Sequence, residues 1–202
     1  MTQQSPSAAS NEQLAEKILE IHHRVKNSFQ VISSLLQMHS REYQAVPQHL
    51  VQSVISHIRS LAVVYDLVGE GVKSGNISPD VPLAELLRRI GDVVDTSRRN
   101  QLSVEAPDIL FSVRGASSVS LIFTELLFNA LRLGRGRTEV VVQAVDEKRA
   151  DFRLTHTATE PAAGEPDFTL GKFLLESDFQ TNLGIDRSNN ELTLTAELPL
   201  GK

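Results

Sequence analysis

Two amphipathic stretches of helical periodicity, separated by Pro47, make up the first third of the chain. The first runs from about Asn11 to Tyr43, with Ser10 or Asn11 as its N-cap, and the second begins after Pro47. A lone two-helix hairpin cannot bury both apolar stripes, so we expect two copies to pair as a dimeric four-helix bundle. The alternative is that the hairpin packs only on the rest of its own chain. The apolar positions are Leu14, Ile18, Ile21, Val25, Ile32 and Leu35, then Val51, Val54, Ile55, Ile58, Leu61, Ala62 and Tyr65.

After a Gly- and Ser-rich connection over residues 69–79, the pattern alternates between helix and strand. This order predicts an α+β sandwich in which helices cover one face of a mixed sheet. We therefore divide the chain into a flexible tail (1–10), a helical hairpin (11–70) and an α+β domain (78–202). The predicted helices are Leu83–Asp95, Ser117–Leu131 and Phe168–Glu176, and the predicted strands are Leu102–Val104, Leu110–Val113, Glu139–Val145, Asp151–Thr155 and Glu191–Leu198.

His23 is the most distinctive polar residue of the first stretch. On a helix it falls roughly opposite the apolar stripe, whereas His22 falls at the edge of that stripe, so the two histidines should have different roles. An imidazole with its usual pKa near 6.5 is largely neutral and nucleophilic at neutral pH. An exposed histidine on a helix is nevertheless most often a solvated side chain, and the functional argument depends on the residues around it.

Those residues resemble a known motif. The segment Glu20–Met38 is similar to the phosphoacceptor segment of HisKA_2-type sensor histidine kinases, whose signature is His-Arg-Val-Lys-Asn followed by an apolar run. Ser28-Phe29 departs from the family's usual Asn-Leu. The resemblance implies that His23 is the phosphoacceptor and that Asn27 orients a hydrolytic water. Arg24 and Lys26 flank the acceptor, where a cationic side chain can neutralise phosphoryl charge or meet the acidic pocket of a receiver domain. An ordinary helix-surface role for Arg24 and Asn27 is the alternative.

A second resemblance lies in the predicted helix Ser117–Leu131. The run from Glu125 to Ala130 resembles the N-box of GHKL (Bergerat-type) ATP-binding domains, where the asparagine, here Asn129, helps to hold magnesium against ATP phosphates. Glu125 and Asn129 lie at i and i+4, on one helix face. The family's Asp-x-Gly-x-Gly motif is missing after Thr155, and its second glycine-rich loop is reduced to Leu170-Gly171-Lys172. The resemblance thus implies a degenerate GHKL domain with no bound cofactor or metal, in which Glu125 and Asn129 are vestigial.

A phosphoacceptor hairpin joined to a degenerate ATP domain looks like the ChpT-like histidine phosphotransferases of phosphorelays. This implies exchange of a phosphoryl group between His23 and the aspartate of a response-regulator receiver domain, which would bring its own Mg²⁺. A hybrid histidine kinase is a further candidate partner. We expect docking around Glu20–Gln30 and near Ser53–Ser60. Two alternatives stay open: an ATP-dependent HisKA_2-type kinase with an atypical nucleotide site, and a non-catalytic dimeric adaptor that binds receivers or kinases.

Composition narrows the remaining classes. The 202 residues include no cysteine, which excludes disulfides and thiolate metal sites. The formal net charge of -5 argues against nucleic acid as the main partner. No apolar run approaches the roughly 20 residues of a membrane span, so we expect no membrane association and a cytoplasmic location.

Overall fold

The computed structural model describes Val25, Ser28, Val31, Ile32, Leu35 and residues 48–73, 80–95, 101–162 and 165–200. The chain divides into two compact units, Met1–Pro47 and Gln48–Lys202. In the first unit the five described positions are all helical, and Ser28, Ile32 and Leu35 are buried. They share one helix face, as the predicted stripe requires. The proposed limits of the tail, hairpin and α+β domain stay predictions.

Helix α1 (Gln48–Lys73) opens the second unit and confirms the predicted restart after Pro47. One of its faces is buried and carries Leu61, Val64, Leu67 and Val68. A different face carries Val51, Ile55, Ile58 and Ala62, spaced by four, three and four residues, and these are exposed or half-buried. The helix is therefore apolar on more than one side, although the described residues cover only one side.

A short strand and a second helix follow α1 along the chain. Strand β1 (Val81–Pro82) leads into helix α2 (Leu83–Val94), which buries Leu83, Leu86, Leu87 and Ile90 completely. Strand β1 pairs antiparallel with β3 (Leu110–Phe111). The predicted strand Leu110–Val113 is thus shorter than expected, because Val113 already begins the next helix.

The main sheet has five strands in the order β2-β4-β5-β7-β6. Strands β2 and β4 run parallel and the other neighbours antiparallel, so the sheet is mixed, as predicted. Its buried face includes Val140, Phe152, Leu154 and Leu194. The strands span Gln101–Glu105 (β2), Gly134–Ala144 (β4), Arg149–Pro161 (β5), Gly184–Ser188 (β6) and Glu191–Pro199 (β7).

Helix α3 (Val113–Leu131) lies on this face, with Phe123 meeting Phe152 edge to face at 6.2 Å between ring centroids. Ser112 caps it by accepting a hydrogen bond from Gly115 N at 3.2 Å. The other side of α3 packs against α1, where Thr124 Oγ1 donates to Ser60 Oγ at 2.6 Å. A short helix α4 (Thr169–Leu174) continues into a π-helical turn (Leu175–Phe179) and also contacts α3. The predicted α+β architecture with helices on one face of the sheet is confirmed.

Candidate functional site

His23, Arg24 and Asn27 lie outside the described residues, so their roles stay predictions. The expected docking stretch Ser53–Ser60 is described, and only part of it is exposed, so docking there stays a prediction. Ser56 and Ser60 are buried against the rest of the unit, because this side of α1 faces α3. Ile58 and Arg59 are the exposed residues of this stretch.

The N-box pair forms the polar centre of the second unit. Glu125 and Asn129 lie one turn apart on α3, as predicted, and both side chains are buried. Asn129 Nδ2 donates to Glu125 Oε1 at 2.8 Å and to the Glu125 carbonyl oxygen at 3.1 Å. The two side chains therefore bind each other along the helix.

Asn129 also binds outside its own turn. Its Oδ1 accepts hydrogen bonds from Asp167 N at 3.0 Å and from an Arg132 guanidinium nitrogen at 3.3 Å. A carboxamide has two donor hydrogens and two acceptor lone pairs. In this structure protein groups use all four positions of the Asn129 amide.

Glu125 uses its second oxygen to reach α1. His57, which is almost completely buried, places Nε2 3.4 Å from Glu125 Oε2. Its Nδ1 lies 2.8 Å from the Ser53 carbonyl oxygen, which can only accept a hydrogen bond, so Nδ1 carries a proton. Nε2 is then the atom through which His57 and Glu125 interact.

Burial decides the protonation of Glu125. The pKa of its carboxyl is raised from 4.5 to about 8, mainly by desolvation and also by the nearby negative charge of Asp167, while Asn129 and Arg132 act in the opposite direction. The carboxyl is therefore mostly protonated at neutral pH, which avoids burying an uncompensated negative charge in this interface.

The sequence predicted that the strand before the missing Asp-x-Gly-x-Gly motif ends at Thr155, but the strand is longer. Strand β5 continues to Pro161, paired with β4 and, as far as Thr157, with β7. His156 stands in this extension with its ring in the core. Its Nε2 donates to the Gly134 carbonyl oxygen at 3.2 Å, and its Nδ1 accepts from Thr138 Oγ1 at 2.9 Å. Burial lowers the pKa of His156, which favours this neutral form.

Gly171, which the resemblance assigned to the second glycine-rich loop, lies inside α4. A Cβ atom there would come within 3.0 Å of Leu126 Cδ2 and 3.7 Å of Glu125 Cγ. The glycine therefore permits close packing of α4 on α3. Among the described residues, no group of three or more His, Asp or Glu side chains is arranged to hold a metal ion.

Comparisons with known proteins agree with the sequence resemblance. Residues 20–94 match the HisKA_2 histidine kinase family. The chain is 26% identical over 171 residues to the Blue-light-activated histidine kinase 2 of Erythrobacter litoralis, which covers 81% of this chain and 48% of that protein. It is 31% identical over 117 residues to the sensor histidine kinase PdtaS of Mycobacterium tuberculosis. This match covers 56% of this chain and 23% of that protein. The chain thus spans about half of the first relative and a quarter of the second.

The fold is also shared. The structure of the Erythrobacter litoralis EL346 blue-light activated histidine kinase superposes with a TM-score of 0.62 at 20% identity, over 94% of this chain and 63% of that one. The chain therefore resembles HisKA_2-type histidine kinases in sequence and has the fold of a histidine kinase domain. None of the helices that the structure describes is long and apolar enough to cross a membrane.

Sequence reasoning missed His57 and underestimated His156. His57 lies between Ser56 and Ser60 in the second predicted helical stretch, where it looks like a polar surface residue. His156 lies in Thr155-His-Thr-Ala-Thr159, after the predicted end of its strand. The available signal for His57 was its position one turn from Leu61, a buried residue of the same helix.

Proposed function

We propose that this protein is a histidine phosphotransferase of a two-component phosphorelay. It carries a phosphoryl group on His23 and exchanges it with the aspartate of response-regulator receiver domains, without using ATP. It binds no cofactor itself, and the receiver domain supplies Mg²⁺. A hybrid histidine kinase is a further candidate partner.

The ATP-independent part of the proposal rests on the Asn129 amide, whose donor and acceptor positions are all hydrogen-bonded to protein groups. A magnesium ion would need a lone pair of Oδ1, and both are engaged by Asp167 N and Arg132. Glu125 is turned towards His57 on α1 and is mostly protonated, which makes it a poor metal ligand. The N-box residues as arranged do not fit a magnesium–nucleotide complex.

The extension of β5 supports the same conclusion. In GHKL domains, by the resemblance, an aspartate after this strand recognises adenine and glycines let the backbone approach the nucleotide. Here the backbone of residues 156–161 is paired with β4 instead. His156 takes no part in a nucleotide site because its ring is in the core and both nitrogens are bonded.

The proposed reaction requires only a nucleophile and a few supporting side chains from this chain. A neutral His23 nitrogen attacks phosphorus, the bond from phosphorus to the receiver's aspartyl oxygen breaks, and the carboxylate leaves. Phosphoryl transfer depends mainly on in-line positioning and on charge neutralisation, for which Arg24 is the adjacent candidate. Asn27, one turn later, is the candidate for orienting water if phosphohistidine is hydrolysed.

The open face of α1 supports the proposed homodimer. Val51 and Ile58 are 44% and 43% exposed, and Ile55 and Ala62 complete a stripe at the spacing of a coiled-coil seam. A contiguous apolar stripe of this kind is unfavourable in water and is typical of a surface that pairs with another helix. A second copy of the chain is the occupant we propose.

An ATP-dependent histidine kinase is the second candidate. The observation in its favour is that both curated relatives described above are named histidine kinases. The two candidates differ in their need for ATP: the phosphotransferase does not use it, whereas the kinase requires it. A non-catalytic adaptor differs from both, because it would carry no phosphate.

Label transfer separates the three candidates. The purified full chain is incubated with γ-labelled Mg-ATP in one arm and with a receiver domain carrying a labelled aspartyl phosphate in the other. We expect label on this chain only in the second arm. Label from ATP alone would favour the kinase, and label in neither arm would favour the adaptor.

The receiver must be tested for competence in the same experiment. A receiver from the same cells is phosphorylated by its own kinase, and its spontaneous loss of label is measured without this chain. Calorimetry with Mg-ATP gives an independent check, because low-micromolar affinity would contradict the reading of Asn129 as a residue saturated by protein contacts.

A further inference from the structure

We propose that His57, Glu125 and Asn129 form a latch that fastens α1 to α3 and to the segment 165–168, so that a movement of α1 is transmitted to that segment. This goes beyond the proposed function and does not depend on the direction of phosphoryl transfer. The three residues are called the latch below.

The latch is continuous through three elements. On α1, the Ser53 carbonyl oxygen fixes the His57 ring through Nδ1. On α3, Glu125 meets His57 with Oε2 and Asn129 with Oε1. Asn129 Oδ1 then holds the backbone N–H of Asp167, which precedes α4. Each side chain thus orients the next.

Burial makes each link depend on its partner. His57, Glu125 and Asn129 are all buried, so that removing one side chain leaves the next polar group without water to replace the lost contact. Leaving a buried polar group without its partner costs much more than an exposed contact contributes. A slide of α1 by one turn would carry His57 away from Glu125, because successive turns of a helix are about 5.4 Å apart.

Three titratable groups of the described residues lie against Glu125 or act on its pKa. These are His57 on α1, Arg132 at the end of α3 and Asp167 in the segment before α4. Two of the three belong to the latch or are held by it. The contacts of Glu125 therefore join the elements that the latch is proposed to fasten.

Hydrogen exchange of the Asp167 backbone amide tests transmission directly. We compare the full chain without nucleotide with His57→Ala, Glu125→Ala and Glu125→Gln. We expect both alanine variants to raise Asp167 exchange about tenfold or more, although His57 lies two links away on another helix. Glu125→Gln should stay within about twofold of the wild type, since a carboxamide keeps the acceptor for Asn129 and offers an N–H to His57 Nε2.

Ser60→Ala is the matched control. It removes the Thr124–Ser60 hydrogen bond in the same α1–α3 interface without touching the latch, so it should leave Asp167 exchange unchanged. The proposal is overturned if His57→Ala leaves Asp167 exchange unchanged, or if Ser60→Ala raises it as much. It is also overturned if Glu125→Gln behaves like Glu125→Ala.

If the alanine variants do not fold, His57→Phe takes their place, because it keeps an aromatic ring in the core and removes Nε2. The same increase in Asp167 exchange is expected, and its absence in a folded His57→Phe protein overturns the proposal. No ATP or receiver is present, so this result and the label-transfer result can fail independently.

Discussion

The predicted helical hairpin and the α+β region both carry residues that resemble histidine kinase motifs, but the described parts of the two regions expose their side chains differently. In the hairpin, α1 keeps an exposed apolar stripe around Ile58, and sequence predicts an exposed His23 on the preceding helix. In the α+β region, Glu125 and Asn129 are retained, yet their polar atoms are turned inward and used by the chain itself. A retained motif residue can serve a ligand only if its polar atoms remain available, and the two regions differ in that property.

Replacing His23 should have the largest effect, because it removes the proposed reactive atom from the hairpin. We expect His23→Ala to reduce labelling by a phosphorylated receiver more than 100-fold, with helix content unchanged since alanine is favourable in helices. Label retained on phosphohistidine is measured after rapid mixing. His22→Ala is the control and should keep some transfer. Transfer that survives in His23→Ala, or disappears in a folded His22→Ala dimer, would show that the assignment is wrong.

Replacing Ile58 tests the open stripe of the hairpin. Ile58→Glu places a charge in the proposed seam and should weaken self-association by at least about 100-fold, because a buried unpaired charge costs several kcal/mol. Analytical ultracentrifugation measures the dissociation constant. Ile185→Glu is a matched control, since Ile185 on β6 is 42% exposed against 43% for Ile58. Equal self-association of both variants and the wild type would contradict the seam.

The pH dependence of stability tests the closed α+β region. The pKa of Glu125 is raised from 4.5 to about 8, so the folded chain holds a proton that the unfolded chain releases as pH rises through this window. Its contribution to stability is therefore complete below pH 4.5, declines as pH rises to 8 and is constant above 8. The decline is on the order of a few kcal/mol.

Urea unfolding at pH 5, 6.5 and 8 measures this contribution as the difference between wild type and Glu125→Gln. The difference cancels most effects of other titrating groups, while His57, Arg132 and Asp167 are those that act on Glu125 directly. A difference that does not change with pH would mean that Glu125 is not held protonated in the folded chain.

Replacing Gly171 should have the smallest effect. Alanine gains up to about 1 kcal/mol of helix propensity in α4, and its Cβ must be accommodated 3.0 Å from Leu126 Cδ2, a side-chain atom that can move. We expect the melting temperature of Gly171→Ala to change by no more than a few degrees, with phosphotransfer retained. A large loss of transfer in the folded variant would instead indicate a binding role for this glycine.

Much of the fold could be predicted because its strongest elements carry their own periodicity. Helices α2 and α3 and strand β7 were located within a few residues, since their apolar positions repeat at 3.6 or 2 residues. The end of β5 was missed because its inward positions in the extension are His156 and Ala158, which do not look like a core strand. Strand β6 was missed because all five of its residues are exposed and only pairing with β7 defines it.

The sequence alone determined the order of the helices and strands other than β1 and β6, and the i, i+4 placement of Glu125 and Asn129, because both follow from local spacing along the chain. Only the tertiary structure decided what that pair touches. His57 comes from a helix far earlier in the chain and the Asp167 amide from a segment far later, and packing of α1 and the residues before α4 on α3 brings them within hydrogen-bonding or ion-pairing distance. Burial then shifts the Glu125 proton equilibrium, because desolvation depends on every neighbouring element and not on the motif itself.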